Sequence, residues 1–247
     1  MGMESTAFVK AFTVAIQFGA ILSVVCLYWK RFFRLNSAKE GLTGVKALLW
    51  KFDFYWKLFV AFLPAAFVGL LCSDLIDEML EKVWVVALML VLGGFFMIFA
   101  DKLFDKAPKT SDVTNKMAFR IGLFQCLALI PGFSRSMATI VGGMAQNLPK
   151  KDAAEFSFFL AVPTMFAATA YKILQLCLEP EGVALLKELW TTLLVGNIVA
   201  FFVAALSIKV FIGMVEKFGF KFFGVYRIVV GGIILLCLLA GQNMELA

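Results

Sequence analysis

Histidine is absent from this 247-residue chain, and charge is scarce, with Asp, Glu, Lys and Arg together at 16%. Without an imidazole there is no Ser-His-Asp triad and no histidine-ligated metal within these residues. The low charge excludes a water-soluble globular domain, a disordered chain and a coiled coil, because soluble domains run near a quarter charged. Five cysteines, Cys26, Cys72, Cys126, Cys177 and Cys237, lie in or beside apolar stretches, and none is spaced C-x-x-C. That pattern excludes a disulfide scaffold and a thiolate metal knot, and it reads as packing thiols. The first ten residues carry Glu4 and Lys10 in place of a basic leader, so no cleavable signal peptide is expected.

What is present is apolar. Hydrophobic residues make up 62% of the chain, phenylalanine alone supplies 28 residues, and the mean hydropathy is +0.92. This composition predicts an all-α polytopic membrane protein forming a single integral membrane domain over 1–247. A membrane span needs about 20 apolar residues. Six runs qualify, at 7–29, 55–73, 83–100, 155–177, 189–213 and 222–241.

The net charge of +6 sits in the loops between these runs, where it reports topology and gives no indication of a nucleic-acid partner. Basic loops (Lys30, Arg31, Arg34, Lys39, Lys46, Lys51; Lys102, Lys106, Lys109, Lys116, Arg120; Lys209, Lys217, Lys221) alternate with acidic ones (Asp74, Asp77, Glu78, Glu81; Glu179, Glu181, Glu188). The alternation holds if six helices cross and the further apolar region 117–147 does not. Both termini then face outward, since cytoplasmic loops are the basic ones.

Limb lengths agree with that placement. Residues 117–130 make about 21 Å of helix at 1.5 Å per residue, short of a hydrocarbon core about 30 Å thick. The second limb, 136–147, is shorter. The region therefore predicts a re-entrant hairpin with its tip, Pro131-Gly132-Phe133-Ser134-Arg135-Ser136, near mid-membrane. Pro131 ends the first limb, and Gly132 permits the sharp bend. Segments 58–71 and 193–206 also resemble each other, as the middle spans of two three-span groups. The expectation is an inverted-topology repeat, 7–100 and 117–241, with only the second group preceded by a hairpin.

The hairpin tip carries the chemistry. An arginine at bilayer depth costs about 2.5–3.5 kcal/mol on insertion scales, and intramembrane ionisable residues mark function by default. Ser134, Ser136 and Thr139 gather hydroxyls around Arg135. The helix that follows points its N–H groups and positive dipole at the same place. Arginine suits bidentate phosphate contacts. The residues therefore describe a phosphate or anion site inside the membrane. A purely structural alternative pairs Arg135 with Glu155 to lock helices and leaves Ser134 as a helix cap. Gln17, mid-span, is a candidate site-lining residue or a bond to a neighbouring helix. Tyr226 and Arg227 open the last span, where snorkelling to the cytoplasmic side accounts for the arginine.

At Pro131-Gly132-Phe133-Ser134-Arg135-Ser136, with Thr139 three residues on, the chain resembles the P-G-x-S-R-S-x-x-T motif of the bacterial undecaprenyl-diphosphate phosphatases, the bacitracin-resistance family. Residues 12–22, 155–163 and Tyr226-Arg227 extend the resemblance along the chain. It implies hydrolysis of undecaprenyl diphosphate to undecaprenyl phosphate, recycling the lipid carrier of peptidoglycan precursors and conferring bacitracin resistance. It also implies a multi-pass protein of the bacterial inner membrane, a polyprenyl diphosphate lipid as partner and a divalent cation, Mg²⁺ or Ca²⁺. A homodimer is compatible with it. By position, Arg135 and Ser134 would be catalytic, with Ser136, Thr139 and Gly132 binding phosphate and Gln125, Gln17 and Glu155 as further candidate site-lining residues. The family's acidic E-G-x-T-E-F-L-P-x-S-S-x-G-H stretch is not found in these residues, and Gln125 stands where the corresponding hairpin has an acid. The resemblance thus implies no metal ligands within this chain and poor hydrolysis unless such a hairpin precedes it. Two alternatives stay open: a lipid-phosphate carrier or translocase using the same cradle, and an inactive truncated homologue.

Overall fold

A computed structural model describes residues 12–13, 15–33, 44, 50–80, 82–104, 110, 112–178 and 182–240. Several expectations fall outside them: the beginning of the first span, with Glu4 and Lys10; the loop residues Arg34, Lys39, Glu40, Lys46, Glu81, Lys106, Lys109, Glu179 and Glu181; and the tail with Glu245. Among the described residues every regular element is helical. They are α1 (Gln17–Leu27), α2 (Trp29–Phe32), α3 (Asp53–Leu71), α4 (Ser73–Leu80), α5 (Val83–Phe104), α6 (Asn115–Cys126), a 3₁₀ turn (Leu127–Leu129), α7 (Arg135–Met144), α8 (Lys150–Leu178), α9 (Gly182–Glu188), α10 (Trp190–Phe218) and α11 (Lys221–Leu239). Five of them, α3, α5, α8, α10 and α11, are long and apolar enough to cross a membrane. Large apolar side chains stand outward along them, Phe67, Leu70, Phe202 and Leu236 among others, as a lipid-facing surface requires. The chain is a polytopic all-α membrane protein.

Several boundaries differ from the apolar runs, two of them by five residues. α8 starts at Lys150, before the expected 155, because Lys-Lys-Asp is helix-competent although polar, and Asp152 in the first turn favours the helix dipole. α10 runs to Phe218, beyond 213. Gly213 does not stop it, whereas Gly219, at φ +68, does. Its N–H bonds the Val215 carbonyl at 3.0 Å, a left-handed glycine C-cap.

The chain divides into two compact units, 1–53 with 158–211, and 54–157 with 212–246. In the first, α1 lies against α10 at closely apposed backbones. A Cβ on Gly19 would strike the Asn197 carbonyl, and the Gly19 N–H donates to Asn197 Oδ1 at 2.7 Å. Tyr28 and Phe32 stand edge-on to the buried Phe159, at 4.9 and 5.4 Å between ring centres.

The second unit is organised on α5 and α11, which run antiparallel: Gly224 meets Gly94, and Gly231 meets Ala87. A Cβ on either Gly94 or Gly224 would stand 2.7 Å from the other's carbonyl oxygen, so the pair approaches backbone to backbone. Small residues at such interfaces replace the hydrophobic drive that lipid removes. α6 and α7 fold back on each other as a hairpin. Its open end is closed by the Thr110 N–H donating to the Asn147 carbonyl at 3.0 Å and by Arg120 Nη1 donating to Gln146 Oε1 at 2.9 Å. Gly122 of α6 seats against the Ala61 carbonyl and the ring of Pro64, a proline inside α3. Lys151 lies 3.3 Å from Glu216, an ion pair between the start of α8 and the end of α10.

Candidate active site

The first limb begins at Thr114, whose hydroxyl accepts from the Met117 N–H at 3.3 Å as an N-cap. It passes from α-helix into a 3₁₀ turn and ends at Ile130 in extended conformation, the geometry expected of a residue before proline. The turn then uses two left-handed residues, Gly132 at φ +88 and Ser134 at φ +79. Gly132 is obligatory on space as well as conformation, because a Cβ there would collide with the Val86 carbonyl oxygen of α5. Phe133 faces Phe96 at 6.2 Å, and its carbonyl oxygen lies 3.4 Å from where a Cβ on Gly93 would stand. The tip is thus seated against the middle of α5, about ten residues or 15 Å into that helix at Gly93.

Ser134 is a non-glycine residue at a φ that costs about 1–3 kcal/mol unless its surroundings impose it. Its hydroxyl accepts from the Met137 N–H at 3.4 Å and lies 3.4 Å from the Ser136 hydroxyl. The limb therefore starts at Arg135, one residue before expected, with Ser134 as N-cap. Capping and strain make a testable pair. Ser134→Ala should lower stability by about 1 kcal/mol through the lost cap, whereas glycine at a cap costs only a few tenths. Ser134→Gly also relieves the left-handed φ, so it should melt at or above the parent temperature in detergent. A Ser134→Gly melting point below that of Ser134→Ala would refute the strain.

Gly132, Ser134, Arg135 and Ser136 are gathered at this tip and half-buried, so each keeps some access to a ligand. Thr139 is placed differently. It is 2% exposed, its hydroxyl bonds the Arg135 carbonyl at 3.0 Å, and it lies 2.6 Å from the Ser157 hydroxyl of α8. The bond to Ser157 ties α7 to α8 and engages the Thr139 hydroxyl inside the protein. Gln125 is buried on α6 with Oε1 lacking any partner. Glu155 is half-buried on α8, two residues before Ser157. Gln17 lies in the other unit, where its Oε1 accepts from the Thr169 hydroxyl at 3.0 Å.

Arg227 is a correction. The sequence places it as a snorkelling residue at the start of the last span; the structure turns its guanidinium inward, and Nη2 donates to the Gly132 carbonyl. The physical reason is a gap at Gly93, whose missing Cβ would stand 2.8 Å from Nη2. That partner is 95 positions away in sequence, so no local pattern could signal it.

The donor set is one that holds an anion: a guanidinium, two hydroxyls and a helix N-terminus. It does not suit a cation. Among the described residues no group of three or more Cys, Asp or Glu side chains comes together as metal ligands.

Comparison with known proteins bears on the same segment. The family model described as bacitracin resistance protein BacA matches residues 1–233. The chain belongs to the BacA family. An undecaprenyl-diphosphatase of Porphyromonas gingivalis strain W83 is 55% identical over 247 residues, 99% of this chain and 88% of that protein. One from Bdellovibrio bacteriovorus is 48% identical over 252 residues, covering 100% of this chain and 87% of its own. More distantly, the Aquifex aeolicus protein of the same name is 38% identical over 235 residues, 94% and 84% of the two chains.

Proposed function

We propose that this BacA-family chain is an undecaprenyl-diphosphate phosphatase, and that the tip of the α6–α7 hairpin holds the diphosphate. It hydrolyses undecaprenyl diphosphate with water to undecaprenyl phosphate and inorganic phosphate, recycling the lipid carrier for peptidoglycan synthesis, the activity on which bacitracin resistance rests. The observation that carries the site assignment is the turn itself. Two left-handed residues, Gly132 and Ser134, bring Ser134, Arg135 and Ser136 together, each half-buried, at the N-terminus of α7, with the two serine hydroxyls 3.4 Å apart.

Chemically, charge spreads over the phosphoryl oxygens as the anhydride bond breaks, so fixed donors aimed at them do most of the work. Arg135 would bridge two phosphate oxygens, Ser134 and Ser136 would donate hydroxyl protons, and Thr139 and Gly132 would hold the turn in register. Gln125 and Glu155 flank the site in this reading. The divalent cation implied by the family resemblance does not fit this donor set. The resemblance draws its ligands mainly from the acidic stretch that is not found in these residues.

The reading places the protein in the bacterial inner membrane with six spans, a re-entrant hairpin between the two repeats and both termini outward. Its partner is the polyprenyl lipid; a homodimer is compatible with it. Cysteines introduced at Met117 and Asn147 should both label from the cytoplasmic side. Labelling from opposite faces would refute re-entry. The function is tested by phosphate release from undecaprenyl diphosphate by the purified protein in detergent. Release supports the phosphatase, lipid flipping in liposomes without release supports a carrier, and neither marks an inactive chain.

A further inference from the structure

We propose that Arg227 is a positioning residue for the diphosphate cradle, fixing the strained turn through the Gly132 carbonyl by way of a slot left open at Gly93. The inference rests on the phosphatase reading of the hairpin tip. Three features meet here. Arg227 Nη2 donates to the Gly132 carbonyl, while Arg227 Nε is buried with no partner, so one hydrogen bond to the turn is what anchors a desolvated guanidinium. The turn it grips is the one with two left-handed residues, Gly132 and Ser134, on either side of Phe133. Gly93 is the third feature: a methyl there would stand 2.8 Å from Nη2, 3.4 Å from Met137 Cε and 3.4 Å from the Phe133 carbonyl oxygen.

These contacts explain a cost that would otherwise stand alone. Ser134 holds an unfavourable φ only while its neighbours over-determine the turn. On the α5 side Gly132 is wedged against Val86. From α11, Arg227 holds the same residue's carbonyl, so the peptide after Gly132 cannot rotate. Arg135 and the start of α7 follow within three residues. A shift of about 1 Å at a positioned group can cost on the order of 100-fold in rate.

The test is a double-mutant cycle on Gly93→Ala and Arg227→Ala, read by melting temperature in detergent and by phosphate release. Arg227→Ala should lower kcat about 100-fold, as expected for a misplacement of that size, with KM little changed. Arg227→Lys should recover only part, since a single ammonium on a flexible stem replaces a planar fork. Gly93→Ala should lower kcat in the same direction in the parent and have almost no effect once Arg227 is alanine, because the methyl then occupies vacated space. The melting shifts should be non-additive in the same sense. If Arg227→Ala does not accumulate, the cycle runs with Arg227→Lys. Additive shifts, or a loss confined to KM, would overturn the assignment of Arg227. A parent protein that releases no phosphate would instead overturn the phosphatase reading beneath it.

Discussion

Arg135→Ala is expected to lower turnover by about 100- to 1,000-fold, the scale of removing one fixed donor from a developing oxyanion. Arg135→Lys should recover little of it. A guanidinium presents two parallel N–H donors that match two phosphoryl oxygens, whereas an ammonium makes point contacts from a flexible stem. The first residue of α7 is the right place for such a group: the half-buried Arg135 adds its charge to the positive end of that helix. Ser136→Ala should cost about 1 kcal/mol, as a neutral hydrogen bond would. A Ser134→Ala loss as large as that of Arg135→Ala would point to a nucleophilic serine. The measurement is phosphate release at protein levels matched by blot. Near-normal turnover of Arg135→Ala at matched levels would sink the phosphate cradle, and the helix-locking role of Arg135 would replace it.

Much of this site was legible in the sequence because its signals are local. Pro131-Gly132 marks a bend, a serine before an arginine-led apolar helix marks an N-cap, and limbs shorter than a bilayer mark a hairpin. Five of the six apolar runs correspond to long apolar helices among the described residues, because length and apolarity mark a helix surrounded by lipid whatever its period. What was not legible is contact between distant segments. Arg227 looks like an end-of-span cation until Gly93 and Gly132 are brought beside it. Thr139 looks like a third hydroxyl of the cradle. One turn of α7 turns it instead onto Ser157, a partner that only the approach of α8 supplies. The polar beginning of α8 escaped for a simpler reason: counting apolar residues finds spans, not helix ends.

Gly132→Ala should be the most damaging small substitution in the hairpin, to stability as well as to activity. At φ +88 an alanine pays about 1–2 kcal/mol for the left-handed backbone alone. Its Cβ would also overlap the Val86 carbonyl oxygen, and a backbone atom of α5 cannot swing aside as a side chain can. Relief requires the tip to lift off α5, which moves the Gly132 carbonyl away from Arg227 and carries Ser134 and Arg135 with it. The expected loss is about 2 kcal/mol or more, a fall of roughly 4–8 °C in melting temperature for a chain of this size. Gly213→Ala is the internal comparison. It lies within α10 with nothing inside 4 Å of a new Cβ, so alanine there should be neutral or stabilising through its better helix propensity. Comparing the two in one detergent separates a general intolerance of added methyl groups from a specific demand at the turn. Equal melting points for Gly132→Ala and Gly213→Ala would mean that the tip is not pressed against α5, and the depth assigned to the cradle would be wrong.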